Sequence, residues 1–107
     1  MEQMTSVQLA ARLAEPGREA PLLLDVREPA EHAICQISGS MLMPMNSVPA
    51  RLAELDPARE TVVICHHGGR SMQVAMYLQR QGFERVANLA GGVDGWAAQV
   101  DPAMARY

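Results

Sequence analysis

Two short apolar runs, PLLLDV at 21–26 and TVVIC at 61–65, each stop abruptly and give way to a segment with a different rhythm. Runs of this length without polar alternation read as strands buried on both faces, and such strands need helices to cover them. The segments that follow supply those helices. REPAEHAI leaves the first run with Pro29 suited to the first turn of a short helix. The second run passes through HHGG into the amphipathic RSMQVAMYLQRQ, where Met72, Ala75, Met76 and Leu78 or Gln79 track one stripe until Gly82 ends it. Strands alternating with helices place the chain in the α/β class with a parallel sheet.

The remaining segments fit that frame. Thr5 or Ser6 caps a first helix carrying Val7, Leu9, Ala10 and Leu13, with Gln8 placed for a capping box and Pro16-Gly17 as the stop. GSMLMPM reads as a short strand broken by Pro44. SVPARLAEL reads as a helix capped by Ser47 with Pro49 in its first turn. RVANL is a further strand, and GGVDGWAAQV opens on two glycines and closes as a last short helix. In parallel sheets ligands lie beyond the carboxyl ends of the strands. Asp25, Cys65 and the Gly91-Gly92 turn all occupy that kind of position.

Composition narrows the function. The 107 residues suffice for one core, so a single domain spanning 1–107 is expected. No segment approaches the ~18 uninterrupted apolar residues of a membrane span. MEQMTSVQLAARLAEPG lacks the basic and apolar blocks of a secretory signal, which makes a cytoplasmic location the expectation. A net charge of −3 without a basic cluster argues against nucleic acid and anionic membrane as partners, and for small molecules or a protein thiol. Two cysteines, Cys35 and Cys65, are too few for a disulfide framework, so each is examined for chemistry.

A cysteine closing an apolar strand is, taken alone, most often an inert buried thiol. The residues after Cys65 argue otherwise. His66, His67, Gly68, Gly69 and Arg70 form a loop whose glycines let successive backbone N–H groups turn toward one point, an anion cradle. A helix starting at Arg70, Ser71 and Met72 aims its unpaired N–H groups at the same place, which favours thiolate over thiol. Cys65 is therefore the candidate nucleophile. Arg70 reads either as a cationic substrate contact or as a solvated residue bracing the loop.

The strings LLLDVREPAEH, ISGS, VVICHHGGRS, GF and NLAGGVDGW, in this order and at these gaps, resemble the single-domain rhodanese family of sulfurtransferases from about Ser6 to Trp96. The resemblance implies a rhodanese-like fold, a central five-stranded parallel sheet flanked by helices on both faces. It implies that Cys65 accepts a sulfane sulfur from thiosulfate or a related donor as a persulfide and passes it to a thiol or cyanide. It also implies that Arg70, with His66 and His67 at the loop rim, meets the donor's charge. Asp25, at its strand end, is a better candidate for supporting the loop than for touching substrate. No cofactor is called for. One string departs from the family: where members carry Gly-His-Ile-Pro-Gly-Ala, this chain has Cys35, Gln36, Ile37, Ser38, Gly39 and Ser40.

Other readings were weighed against this one. Cys35 is either a resolving thiol for Cys65 or a passive one, and a disulfide would need Cα atoms within about 7 Å. His66 and His67 suggest a metal, but neighbouring side chains are expected to diverge and His32 stands apart, so no metal site is expected. The scattered methionines and Trp96 read as packing residues. A cysteine phosphatase also surrounds a thiolate with backbone amides and an arginine, but spaces them C-x-x-x-x-x-R, one residue longer than Cys65 to Arg70. The shorter ring leaves less room for a tetrahedral phosphate. A non-enzymatic sulfur carrier or redox interaction module would use the same Cys65 persulfide.

Overall fold

The structure, a computed structural model, describes residues 2–107. Its elements run β1 (Glu2–Met4), α1 (Ser6–Leu13), β2 (Leu22–Asp25), α2 (Pro29–Ile34), β3 (Met41–Leu42), β4 (Thr61–Ile64), α3 (Gly69–Arg80), β5 (Val86–Leu89) and α4 (Gly92–Gln99). Two 3-10 turns, Met45–Ser47 and Leu52–Glu54, lie between β3 and β4. The five strands form one sheet in the order β1-β5-β4-β2-β3, every pair parallel. This is the α/β architecture with a central five-stranded parallel sheet expected from the sequence.

All four residues of β4, at the centre, are buried, which is why that strand carries no polar alternation. Successive side chains leave a strand on opposite faces, and two apolar clusters result. On one face Leu23, Val62, Ile64, Ala87 and Leu89 pack with Leu9 of α1 and with Val93 and Trp96 of α4. On the other, Leu24, Val63 and Val86 pack with Val74, Ala75 and Leu78 of α3 and with Met43 and Val48. Each such fully buried side chain stabilises the fold by roughly 1.5–3 kcal/mol of transfer free energy.

Three local expectations are corrected. SVPARLAEL is not a helix: Ser47 closes the first 3-10 turn and its Oγ donates back to the Pro44 carbonyl at 2.7 Å instead of capping forward, and after a single turn closed by the Arg51 N–H on the Ser47 carbonyl at 3.1 Å the chain passes into the second 3-10 turn. The buried stripe of α3 is Ser71, Val74, Ala75 and Leu78, while Met76 is exposed. Hydrophobicity alone favoured the methionines, whereas the fold turns a serine inward at the start of the helix. The fifth strand is β1, where Glu2 and Gln3 are exposed and only Met4 is buried. Three residues without apolar alternation become a strand through pairing with β5. The helix that follows is capped as anticipated, by Thr5: its Oγ1 accepts the Gln8 N–H at 3.1 Å and its own N–H donates to Gln8 Oε1 at 2.9 Å.

The carboxyl ends of β2, β4 and β5 lie side by side, and α4 enters there against the segment leaving β4. The N–H of Val93 donates to the Cys65 carbonyl at 2.9 Å and that of Asp94 to the His66 carbonyl at 3.1 Å. Gly92 makes this approach possible: it has φ +58°, and a Cβ there would lie 2.4 Å from both carbonyl oxygens. Gly92→Ala is expected to destabilise the protein by at least about 3 kcal/mol. Gly69→Ala, where a Cβ meets nothing within 4 Å, should stay within about 0.5 kcal/mol of wild type. Urea denaturation midpoints of the two variants check both values.

Candidate active site

Cys65 directly follows β4, and its Sγ accepts the backbone N–H of Gly68 at 3.0 Å. Gly68, with φ 111°, is the residue that turns the chain back toward the sulfur and starts α3. The sequence led us to expect the amides of residues 66 to 71 to converge on one point. Among the described residues, that of Gly68 reaches the thiol, while those of Gly69, Arg70 and Ser71 belong to the first turn of α3 and meet no acceptor. A first turn without intrahelical partners is the part of a helix that favours an anion.

Ser71 Oγ lies 3.2 Å from Cys65 Sγ and also donates to Asn88 Oδ1. The Asn88 amide is oriented by its other contacts, since Nδ2 donates to the Gly68 carbonyl at 3.2 Å and to Gln3 Oε1 at 3.0 Å. Ser71 has one proton to give. It can therefore serve either the sulfur or Asn88 at one time, while the Gly68 N–H bonds the sulfur in both cases. Asn88 was not among the residues singled out from the sequence. Its signal was present as a lone polar side chain in a fully buried strand, 2% exposed.

Asp25 reaches the loop only at a distance. It is fully buried in an ion pair with Arg27, itself fully buried, with Oδ2 accepting Nη2 at 2.7 Å and Oδ1 accepting Nε at 3.0 Å. Arg27 in turn donates to the carbonyls of Cys35 at 2.6 Å and Glu31 at 3.2 Å, and to the Tyr107 hydroxyl at 3.0 Å. Burial works against the guanidinium's charge, but its bonds to Asp25 and Tyr107 prevail and hold its pKa above the ordinary value. Asp25 thus braces α2 through Arg27, and α2 carries Glu31 to the loop.

Glu31 grips Arg70 with both oxygens, at 2.7 and 2.9 Å. The bond to Arg70, only partly opposed by burial, draws the Glu31 carboxyl down to about 2, with help from the Glu28 N–H and the Tyr107 hydroxyl. The same bond raises Arg70 above its ordinary value. Of the two readings of Arg70, substrate contact or brace, the structure shows a brace: a carboxylate of the protein holds its end-on face, and the rest of the guanidinium is partly exposed.

The segment after α4 returns to the rim of the loop. Tyr107 stacks on His66 with ring centroids 3.9 Å apart and planes 10° from parallel, and its hydroxyl donates to Glu31 Oε2 at 2.8 Å. Cys65 is 1% exposed, and a narrow crevice beside the loop is bordered by His66, Cys35, Val93 and Tyr107. Burial, reinforced by repulsion from His67, lowers the pKa of His66 below the usual value, so its ring is neutral at pH 7, and its Nε2 is buried without a partner. His67 is exposed. Contrary to the expectation that these neighbours diverge, their rings lie 3.9 Å apart, and Asp94 brings a carboxylate within 4.8 Å of both. Asp94 is meanwhile bonded to Arg106 at 3.0 Å. Cys35 borders the same crevice, with its sulfur 3.7 Å from Arg27 Nη1. His32 stands apart, 3.4 Å from Ser40 Oγ.

With this geometry in place, the likeness to known proteins is informative. The model of the rhodanese-like domain matches residues 5–99. The chain belongs to the rhodanese-like family. This rhodanese-like chain is 39% identical over 105 residues to a sulfurtransferase of Allochromatium vinosum, covering 98% of itself and 96% of that protein. It is 39% identical to the thiosulfate sulfurtransferase GlpE of Pseudomonas fluorescens over 87 residues, which cover 81% of this chain and 77% of GlpE. The crystal structure of a rhodanese-like domain protein from Staphylococcus aureus superposes with a TM-score of 0.83 at 29% identity, covering 90% of this chain and 91% of that one. Together these support a rhodanese-type sulfurtransferase. No helix among the described residues is long and apolar enough to cross a membrane.

Because Tyr107 stacks on His66, the residue after Cys65, and bonds Glu31, the partner of Arg70, Tyr107→Ala is expected to loosen the loop and raise the rate of Cys65 alkylation by iodoacetamide at least about threefold. Peptide mapping of the alkylated protein, with Cys35 as the internal comparison, checks this.

Proposed function

We propose that this rhodanese-like protein transfers a sulfane sulfur from thiosulfate or a related small donor to a thiol or cyanide through a persulfide on Cys65. The observation that carries the reading is the placement of Cys65 Sγ at the end of the central strand, within 3.0 Å of the Gly68 N–H and beside the unpartnered first turn of α3. A sulfur in that position is the attacking atom, and the loop and helix start are the groups that stabilise negative charge on it.

In the first half-reaction the Cys65 thiolate attacks the outer sulfur of thiosulfate. The S–S bond of the donor breaks, sulfite leaves with the bonding pair, and Cys65 carries S–S⁻. The terminal sulfur extends the charge away from Cys65 toward the amides of Gly69, Arg70 and Ser71. In the second half-reaction a thiolate or cyanide attacks that terminal sulfur, and the electron pair of the S–S bond returns to Cys65. Ser71 assists both halves by turning its proton toward the sulfur whenever it is anionic. Because Cys65 is 1% exposed, the surroundings of the thiol must open for the donor to enter. A cytoplasmic setting belongs to this proposal, supported by two cysteines that are both free.

Cys65→Ser should abolish thiosulfate:cyanide sulfurtransferase activity while leaving the fold intact. Wild-type protein treated with thiosulfate should gain one sulfur, located by mass spectrometry on the peptide containing Cys65. A persulfide that forms but turns over to neither cyanide nor a small thiol would favour the carrier role, and sulfur mapping to Cys35 would refute the assignment.

A further inference from the structure

Charge around the crevice is balanced pair by pair. Asp25 closes on Arg27 at 2.7 Å, Glu31 on Arg70 at 2.7 Å and Asp94 on Arg106 at 3.0 Å. The three arginines that face the site thus bring no net positive charge to it. Arg70 is the one the loop itself supplies, and Glu31 takes one N–H from each of its terminal nitrogens, an end-on fork that places a carboxylate against the guanidinium before any anionic donor arrives.

Glu31 is also held firmly. Its Oε1 accepts the Glu28 N–H at 3.0 Å, its Oε2 accepts the Tyr107 hydroxyl at 2.8 Å, and Tyr107 is itself fixed by Arg27 and by stacking on His66. Its carboxyl, with a pKa of about 2, is ionised at any pH used for sulfur transfer. A dianion approaching Arg70 must either displace a carboxylate anchored at three points or accept its repulsion. A donor without net charge meets neither obstacle.

We propose that Glu31, positioned by Tyr107, is a specificity-determining residue that disfavours dianionic sulfur donors such as thiosulfate relative to persulfides of no net charge. This rests on the sulfur-transfer reading above. With a persulfide donor R–S–S⁻ the Cys65 thiolate attacks the outer sulfur, the donor S–S bond breaks, and R–S⁻ leaves with the bonding pair. The product on the protein is the same Cys65 persulfide, so the two donors differ at Arg70 and not in the bond made.

The test compares wild type, Glu31→Gln and Tyr107→Phe in full-length protein, following sulfur addition to Cys65 by intact mass against donor concentration. The donors are thiosulfate and cysteamine persulfide, whose ammonium balances its persulfide anion. Glu31→Gln keeps an oxygen for the Glu28 N–H and removes the charge. It should raise the second-order rate with thiosulfate about tenfold, through a lower half-saturating concentration and not a faster maximal rate, and leave cysteamine persulfide within about twofold. Tyr107→Phe retains the ring on His66, frees one Glu31 oxygen, and should shift the donor ratio about threefold in the same direction. A thiosulfate rate that is unchanged or reduced in Glu31→Gln, or equal changes with both donors, would overturn the proposal and leave Glu31 a brace for Arg70. If neither donor adds sulfur to wild-type Cys65, the sulfur-transfer reading itself fails, and this inference with it.

Discussion

The site depends on two carbonyl groups being tied down. The oxygens of Cys65 and His66 are bonded to the first amides of α4, at 2.9 and 3.1 Å, through a contact that leaves no room for a side chain at Gly92. In a trans peptide the C=O and the N–H point to opposite sides. Anchoring these two carbonyls against α4 therefore turns the amides of His66 and His67 away from α4, toward the side where the loop closes over the sulfur. From there Gly68, in a left-handed conformation, brings its own N–H to Cys65 and opens α3 beside it. One helix start orients the loop and another supplies its positive end.

Around that loop the polar groups form two separate supports. Asn88, Gln3 and Gly68 hold the loop from the β5 side, with Ser71 as the member that responds to the charge on sulfur. Asp25, Arg27, α2, Glu31 and Tyr107 hold it from the β2 side and end on Arg70. The buried Asp25–Arg27 pair makes sense in this light. Isolated buried ion pairs seldom add net stability, but this one is bonded at every donor to a group that must be placed, and through Tyr107 it reaches the rim of the loop.

Much of this arrangement was legible in the residues. The buried strands, the capping box at Thr5, the cysteine at the end of the central strand, and the glycines that reverse the loop and admit α4 all follow from local rules: periodicity, turn chemistry and the steric freedom of glycine. Errors came where a local rule was outvoted. Pro49 and Ser47 looked like a helix start and became 3-10 turns, because Ser47 bonded backward. Met76 looked like core and stands exposed, because α3 is rotated to present Ser71 to the thiol.

From sequence alone came the class of fold, the position of Cys65 at the end of the central strand and the glycine-bearing loop next to it, since these are encoded within a few consecutive residues whose conformations are set by their own chemistry. Only the tertiary structure decided that Glu31 pairs with Arg70, that Ser71 lies between Asn88 and the sulfur, and that Tyr107 reaches back to Glu31 and His66. Those contacts join residues separated by 39, 17 and 76 positions. No local pattern carries such pairings, because they arise from how strands are ordered in the sheet and where the segment after α4 returns.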